Sequence, residues 1–186
     1  MPALVIALPA FLFVCAATWR ASWASLGRDQ GIFQYVGWAV ARGDVLYRDV
    51  RDVNGPVIAM VHLIFQKLGG EDEHRFRVLD LFASGIAFVI TGALVPSMAG
   101  ASPPATKTMR AATVIPWALA AWVMLSAQYL VYGFWDSAQR ESFLGWFVIV
   151  AMALQAAITS KPDRRVRPQA TWMLAASGAL SAIPWL

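Results

Sequence analysis

The sequence predicts an all-α fold: a polytopic transmembrane helix bundle of about five spans, with two interfacial amphipathic helices in the first outer loop. Three observations predict it. Of 186 residues, 59% are hydrophobic and 14% charged, whereas a soluble domain holds about 45–50% apolar and about 25% charged residues. The apolar residues fall in five long uncharged runs. The charged residues collect between those runs, most of them in one segment. This pattern excludes a disordered chain, a basic nucleic-acid-binding domain and a small disulfide scaffold. The single cysteine, Cys15, can form neither an internal bridge nor a thiolate metal site.

A membrane span needs roughly 20 apolar residues. Residues 2–19, 81–99, 111–132, 142–159 and 170–186 supply the five candidates, the last barely long enough. Each is read as a helix, because a helix satisfies its own backbone polar groups in hydrocarbon. The first run has no positively charged start and no A-x-A cleavage site. Val14, before Cys15, is not the small residue that a lipoprotein signal wants. An uncleaved first span is therefore predicted. Trp19, Trp23, Trp135 and Trp172 stand near the boundaries, where amphipathic rings anchor at headgroup level.

Charge between the runs gives an orientation. The formal net charge is +4. Lys107 and Arg110 lie in the loop 100–110, and Lys161, Arg164, Arg165 and Arg167 face only Asp163 in the loop 160–169. The positive-inside rule places these loops and the amino terminus in the cytoplasm. The nearly balanced segment 20–77 then shares the outer face with the loop 133–141, which holds Asp136, Arg140 and Glu141.

The segment 20–77 is too long for a plain connector. Ile32, Phe33, Val36, Ala39 and Val40 recur at helical spacing, with Gln30, Gln34 and Gly37 opposite. They predict an amphipathic helix of about three turns. A second helix, 56–68, opens on Asn54-Gly55-Pro56, a turn with proline at the first helical position. It is too short to span, and it sets His62 and Gln66 one turn apart on one face. Two such helices between spans suit the membrane interface. The alternative is that they pack as the core of a small outer domain.

Polar residues surround these helices: Arg28-Asp29, Asp44, Tyr47-Arg48-Asp49, Arg51-Asp52-Val53-Asn54, and Glu71-Asp72-Glu73-His74-Arg75-Phe76-Arg77. A carboxylate can take a proton from a hydroxyl nucleophile, and Arg can hold phosphate oxygens in bidentate fashion. The cluster thus suits a reaction on a lipid-linked, phosphate-bearing substrate. Each residue also has a plainer role. Asp29 can cap the helix that follows it. Asp49 and Asp52 can pair with Arg48 and Arg51. Arg75 and Arg77 can pair with the acids at 71–73 or with Asp80, which lies one turn beyond Arg77 at the edge of a span. Asp136 and Glu141 can line the same cavity or cap the fourth span.

Three runs, Asp29-Gln30-Gly31-Ile32-Phe33-Gln34-Tyr35, Ala41-Arg42-Gly43-Asp44-Val45-Leu46-Tyr47-Arg48-Asp49 and Asp52-Val53-Asn54-Gly55-Pro56, occur in order. Together they resemble the first outer loop of membrane glycosyltransferases with the GT-C fold, of the family 39 and protein O-mannosyltransferase-like group. Trp135-Asp136-Ser137-Ala138-Gln139-Arg140-Glu141 resembles a later outer loop of the same bacterial group. The resemblance covers about residues 1–160. It implies a sugar donor carried on a polyprenyl phosphate in the bacterial inner or plasma membrane. Hexosyl or pentosyl transfer would then occur at the outer face, to an envelope lipid, glycan or protein. It also implies that Asp29 is the catalytic base and that polyprenyl phosphate is the leaving group. Arg48, Asp49, Asp52, Arg75, Arg77, Asp136 and Glu141 are the candidate substrate-binding residues. No cofactor and no metal is called for. Many relatives carry a second acid after the first, and here that position is Gln30.

Such enzymes continue through further spans, so the chain is expected to be the amino-terminal part of a larger transferase. Two other classes stay open. One is a non-catalytic membrane module that binds polyprenyl lipid or a partner. The other is a small transporter subunit, ranked last because transport calls for intramembrane ionisable residues and only Asp80, near an interface, qualifies.

Overall fold

The computed structural model describes residues 2–99, 106–131, 140–160 and 168–183. Among them the chain is all-helical: α1 (Pro2–Ala21), α2 (Arg28–Ala41), α3 (Pro56–Gly69), α4 (Glu73–Met98), α5 (Lys107–Val131), α6 (Arg140–Thr159) and α7 (Pro168–Ala182). No strand occurs among the described residues, which hold only an isolated bridge between Leu46 and Val50.

Two helices are long and apolar enough to cross a membrane: α4, and the Ser142–Thr159 part of α6. The described parts of α1, α5 and α7 carry shorter apolar stretches, Leu8–Ala21, Ala111–Ala127 and Thr171–Leu180. Two of the five expected spans therefore meet the length requirement among the described residues. Helix α4 starts earlier than the apolar run at 81–99. The Asp72 carboxylate accepts the Arg75 amide at 2.7 Å, and Glu73 adds an acid to the first turn. Both favour a helix start there. From Glu73 onward the charged run after α3 thus belongs to the first turns of a 26-residue helix, with Asp72 as its N-cap.

Helix α4 has two sides. Phe82, Ile86, Val89 and Ile90 are exposed, and a row of apolar side chains left outside a packed core suits lipid better than water. The opposite side meets its neighbours. Gly85 lets the Trp122 ring of α5 approach, its Nε1 lying 3.0 Å from where a Cβ would stand. Phe76, Ala87 and Phe88 join Phe143 and Trp146 of α6 in the main apolar cluster, with Phe33 of α2 and Ile58 and Phe65 of α3. Helix α7 is tied to α6 by the Ser177 hydroxyl, which donates to the Ala151 carbonyl at 2.9 Å.

Helices α2 and α3 stand where the loop pattern placed them, but the buried face of α2 is rotated from the expected one. Phe33, Val36 and Ala39 are buried as expected, together with Gln30 and Gly37, while Ile32 is exposed. The reason is the α2–α3 crossing. A Cβ at Gly37 would lie 3.0 Å from the Leu63 nitrogen, so glycine lets the two backbones come closer than a side chain would ordinarily allow. Gln30 is buried because its amide oxygen finds donors inside. His62 is fully buried, stacked on Phe76 with ring centroids 4.8 Å apart and edge-on to Phe143. Gln66, one turn on, donates to the Gln34 side chain and backbone carbonyl of α2. The helices thus pack one face as a core and leave Met60, Ile64 and Leu68 exposed as a second apolar stripe.

Candidate functional site

Asp29 sits in the first turn of α2 and is exposed. It is not the N-cap, as the sequence allowed. That position is Gly27, whose extended backbone (φ −70°, ψ 167°) leads into the helix. The carboxylate is therefore not committed to capping the helix.

The next residue turns the other way. Gln30 is fully buried. Its Oε1 accepts the Gly27 N–H at 2.8 Å and Arg77 Nη2 at 2.8 Å. Nη2 of Arg77 also donates to the Ser25 carbonyl at 2.9 Å, and Nε to the Ala24 carbonyl at 3.4 Å. Arg77, expected to reach a donor phosphate or to pair with a neighbouring acid, is enclosed by protein and bonded to α2 and the segment before it. Asp80, one turn further along α4, is also fully buried, and neither carboxylate oxygen has a hydrogen-bond partner. Because Asp29 is exposed and position 30 points inward, an acid at position 30 would face Arg77 rather than pair with Asp29.

The loop between α2 and α3 is closed by its own polar groups. Arg48 grips Asp49 with two bonds, Nε to Oδ1 at 2.9 Å and Nη2 to Oδ2 at 2.8 Å, and the Val45 amide donates to Asp49 Oδ2 at 2.8 Å. The Arg48 hydrogen bond first, and the Val45 N–H second, hold the Asp49 carboxyl below its usual range. Tyr47 adopts φ +69°, and its hydroxyl donates to the Asn54 carbonyl at 2.5 Å. Asp52 departs from its expected pairing with Arg51: its Oδ1 accepts the Asn54 amide at 3.0 Å and Asn54 Nδ2 at 2.8 Å. An aspartate two residues before an amide forms this turn more readily than a long ion pair between adjacent side chains.

Arg75 is exposed on the first turn of α4. Asp136 lies outside the described residues. Glu141 is in the first turn of α6, but its side chain lies outside the described ones. Residues 161–167, which hold Lys161, Asp163, Arg164, Arg165 and Arg167, lie outside them too, as does Trp135, whereas Lys107 and Arg110 fall in the first turn of α5.

Several contacts had no local signal in the sequence. Trp38 Nε1 donates to Glu71 Oε1 at 2.9 Å, and the Arg42 guanidinium lies 4.2 Å over the Trp38 ring. These bonds tie the end of α2 to the approach of α4. His74 stacks on Trp23 at 3.7 Å, with its Nδ1 3.1 Å from the Ser22 carbonyl. The Ser22 hydroxyl lies 3.2 Å from the same nitrogen. Among the described residues, no group of His, Cys, Asp and Glu could hold a metal ion.

These features define an all-helical chain with membrane-length helices and a small polar cluster where α2 meets the start of α4. No protein-family model, curated protein or solved structure matches the chain.

Proposed function

We propose that this chain is a membrane glycosyltransferase module that takes its sugar from a polyprenyl-phosphate donor. One observation carries the reading: Asp29 is an exposed carboxylate, free of capping duty, on the first turn of a helix fixed to the start of a membrane-length helix. In this reading Asp29 removes the proton of an acceptor hydroxyl. The oxygen forms a bond to the anomeric carbon as the bond to phosphate breaks, and polyprenyl phosphate leaves with the electron pair. A phosphate is a competent leaving group, so the second carboxylic acid of a glycosidase is not required.

The proposed setting is a bundle of about five spans with the amino terminus in the cytoplasm, in a bacterial inner or plasma membrane. Helices α2 and α3 lie in the outer interface. The exposed stripe of Met60, Ile64 and Leu68, with Lys67 beside it, supports this placement. A reporter fused after residue 50 tests the topology, and a cytoplasmic signal there refutes it.

Activity is tested with purified chain in nanodiscs and radiolabelled polyprenyl-phosphate sugars. Transfer that is lost in Asp29→Asn supports the assignment. Transfer that survives the substitution removes Asp29 from the base role. A second reading is a non-catalytic module that binds polyprenyl lipid. The apolar stripe on α3 favours it, and lipid binding without any transfer would establish it.

A further inference from the structure

We propose that Arg77 is a positioning residue for Asp29, acting through Gln30. The catalytic part of this inference rests on the glycosyltransferase reading; the mechanical part does not. One guanidinium on α4 gathers the Ala24 carbonyl, the Ser25 carbonyl and Gln30 Oε1. The same Gln30 oxygen accepts the Gly27 amide. Arg77 therefore holds both the chain entering α2 and the first turn of α2 itself.

Consecutive residues of a helix point about 100° apart. Anchoring the Gln30 side chain inward therefore fixes the outward direction of Asp29, its neighbour. Arginine suits the task, because its donors form a rigid planar fork, whereas lysine presents a point charge on a flexible stem. Asp80 is buried one turn along the same helix, and neither of its carboxylate oxygens is hydrogen-bonded to the guanidinium. The Arg77 and Gln30 side chains are shielded from water, so salt screens the bond between them little. Helix α4, at 26 residues, is the rigid element on which the turn is mounted.

The test reads the motion of that turn directly. Cys15 is the only cysteine, so a Cys15→Ser background accepts one label at a chosen place. Gly31 has open space around a new Cβ, and a nitroxide on Gly31→Cys reports on the first turn of α2. A second label, on Leu68→Cys of α3, reports on the remote packing. Spectra are recorded for the full chain in nanodiscs.

Arg77→Ala and Gln30→Ala are expected to raise label mobility severalfold at position 31 and to leave position 68 unchanged. Gln30→Glu, which keeps an acceptor for Arg77, should retain the ordered spectrum. An unchanged spectrum at 31 in both alanine variants overturns the proposal, as does equal loosening at 31 and 68. If Arg77→Ala does not fold, Gln30→Ala and Arg77→Lys decide it by the same criterion. In the transfer assay the two alanine variants should lose at least tenfold in kcat with KM little changed. A wild-type chain that transfers nothing refutes the glycosyltransferase reading, and the label spectra still decide the clamp.

Discussion

Gly92 of α4 faces Ala118 of α5 so closely that a Cβ on the glycine would stand 2.7 Å from the alanine Cα and collide with the Trp117 carbonyl oxygen. The obstacles are largely backbone, which cannot swing aside. Gly92→Ala should therefore destabilise the chain by about 1–3 kcal/mol, read as a lower unfolding midpoint in detergent. Gly145 of α6 has open space where an alanine Cβ would stand. Gly145→Ala should be neutral or stabilising by up to about 1 kcal/mol, from helix propensity alone.

Gly37 makes the same argument for the α2–α3 pair. A Cβ there meets the Leu63 nitrogen at 3.0 Å and the His62 carbonyl carbon at 3.1 Å. Gly37→Ala should push α2 away from α3, with a cost of about 1–3 kcal/mol. Proteolysis between the two helices, in the loop 42–55, should speed up before global unfolding does. An unchanged cleavage rate would contradict the close crossing.

Asp49 should show a depressed titration midpoint, because Arg48 and the Val45 amide favour its ionised form. The sign follows from linkage. A carboxylate with a lowered folded-state pKa adds stability above its unfolded value, near about 3.9. That contribution is lost as the pH falls through the lower folded value. Both side chains are exposed, so the effect on stability is small. In Arg48→Gln the midpoint, followed by NMR, should move up toward the ordinary value.

Ser177 provides a test of the α6–α7 contact. Its hydroxyl donates to the Ala151 carbonyl in a buried position. Ser177→Ala should cost about 0.6 kcal/mol, the usual scale for such bonds in membrane helices. A denaturation midpoint equal to that of the wild type would mean that the bond contributes nothing.

Much of the fold is legible from local pattern. The 3.6-residue spacing through Phe33, Val36 and Ala39 locates α2, and Asn54-Gly55-Pro56 locates the start of α3 within a residue. The apolar runs locate the remaining helices. Legibility stops where a residue's role depends on a distant partner. Gln30 reads as a polar residue on the solvent side of α2 until Arg77, 47 residues later, is seen to hold it. Ile32 reads as core, but α3 covers the other side. Asp72 reads as one more member of the charged run, although its role is to start α4.

Local pattern accounts for the all-helical class, the order of the seven helices among the described residues, and the presence of an acidic residue at the head of α2. These follow from hydrophobic spacing and turn residues, which act over a few positions. Packing between distant segments sets which face of α2 is buried, leaves Asp29 exposed, and encloses Arg77 rather than turning it to the surface. A side chain's direction is set by the elements packed around it. The glycine at 37 and the carbonyls of Ala24 and Ser25 become constraints only when α3 and α4 are brought against α2.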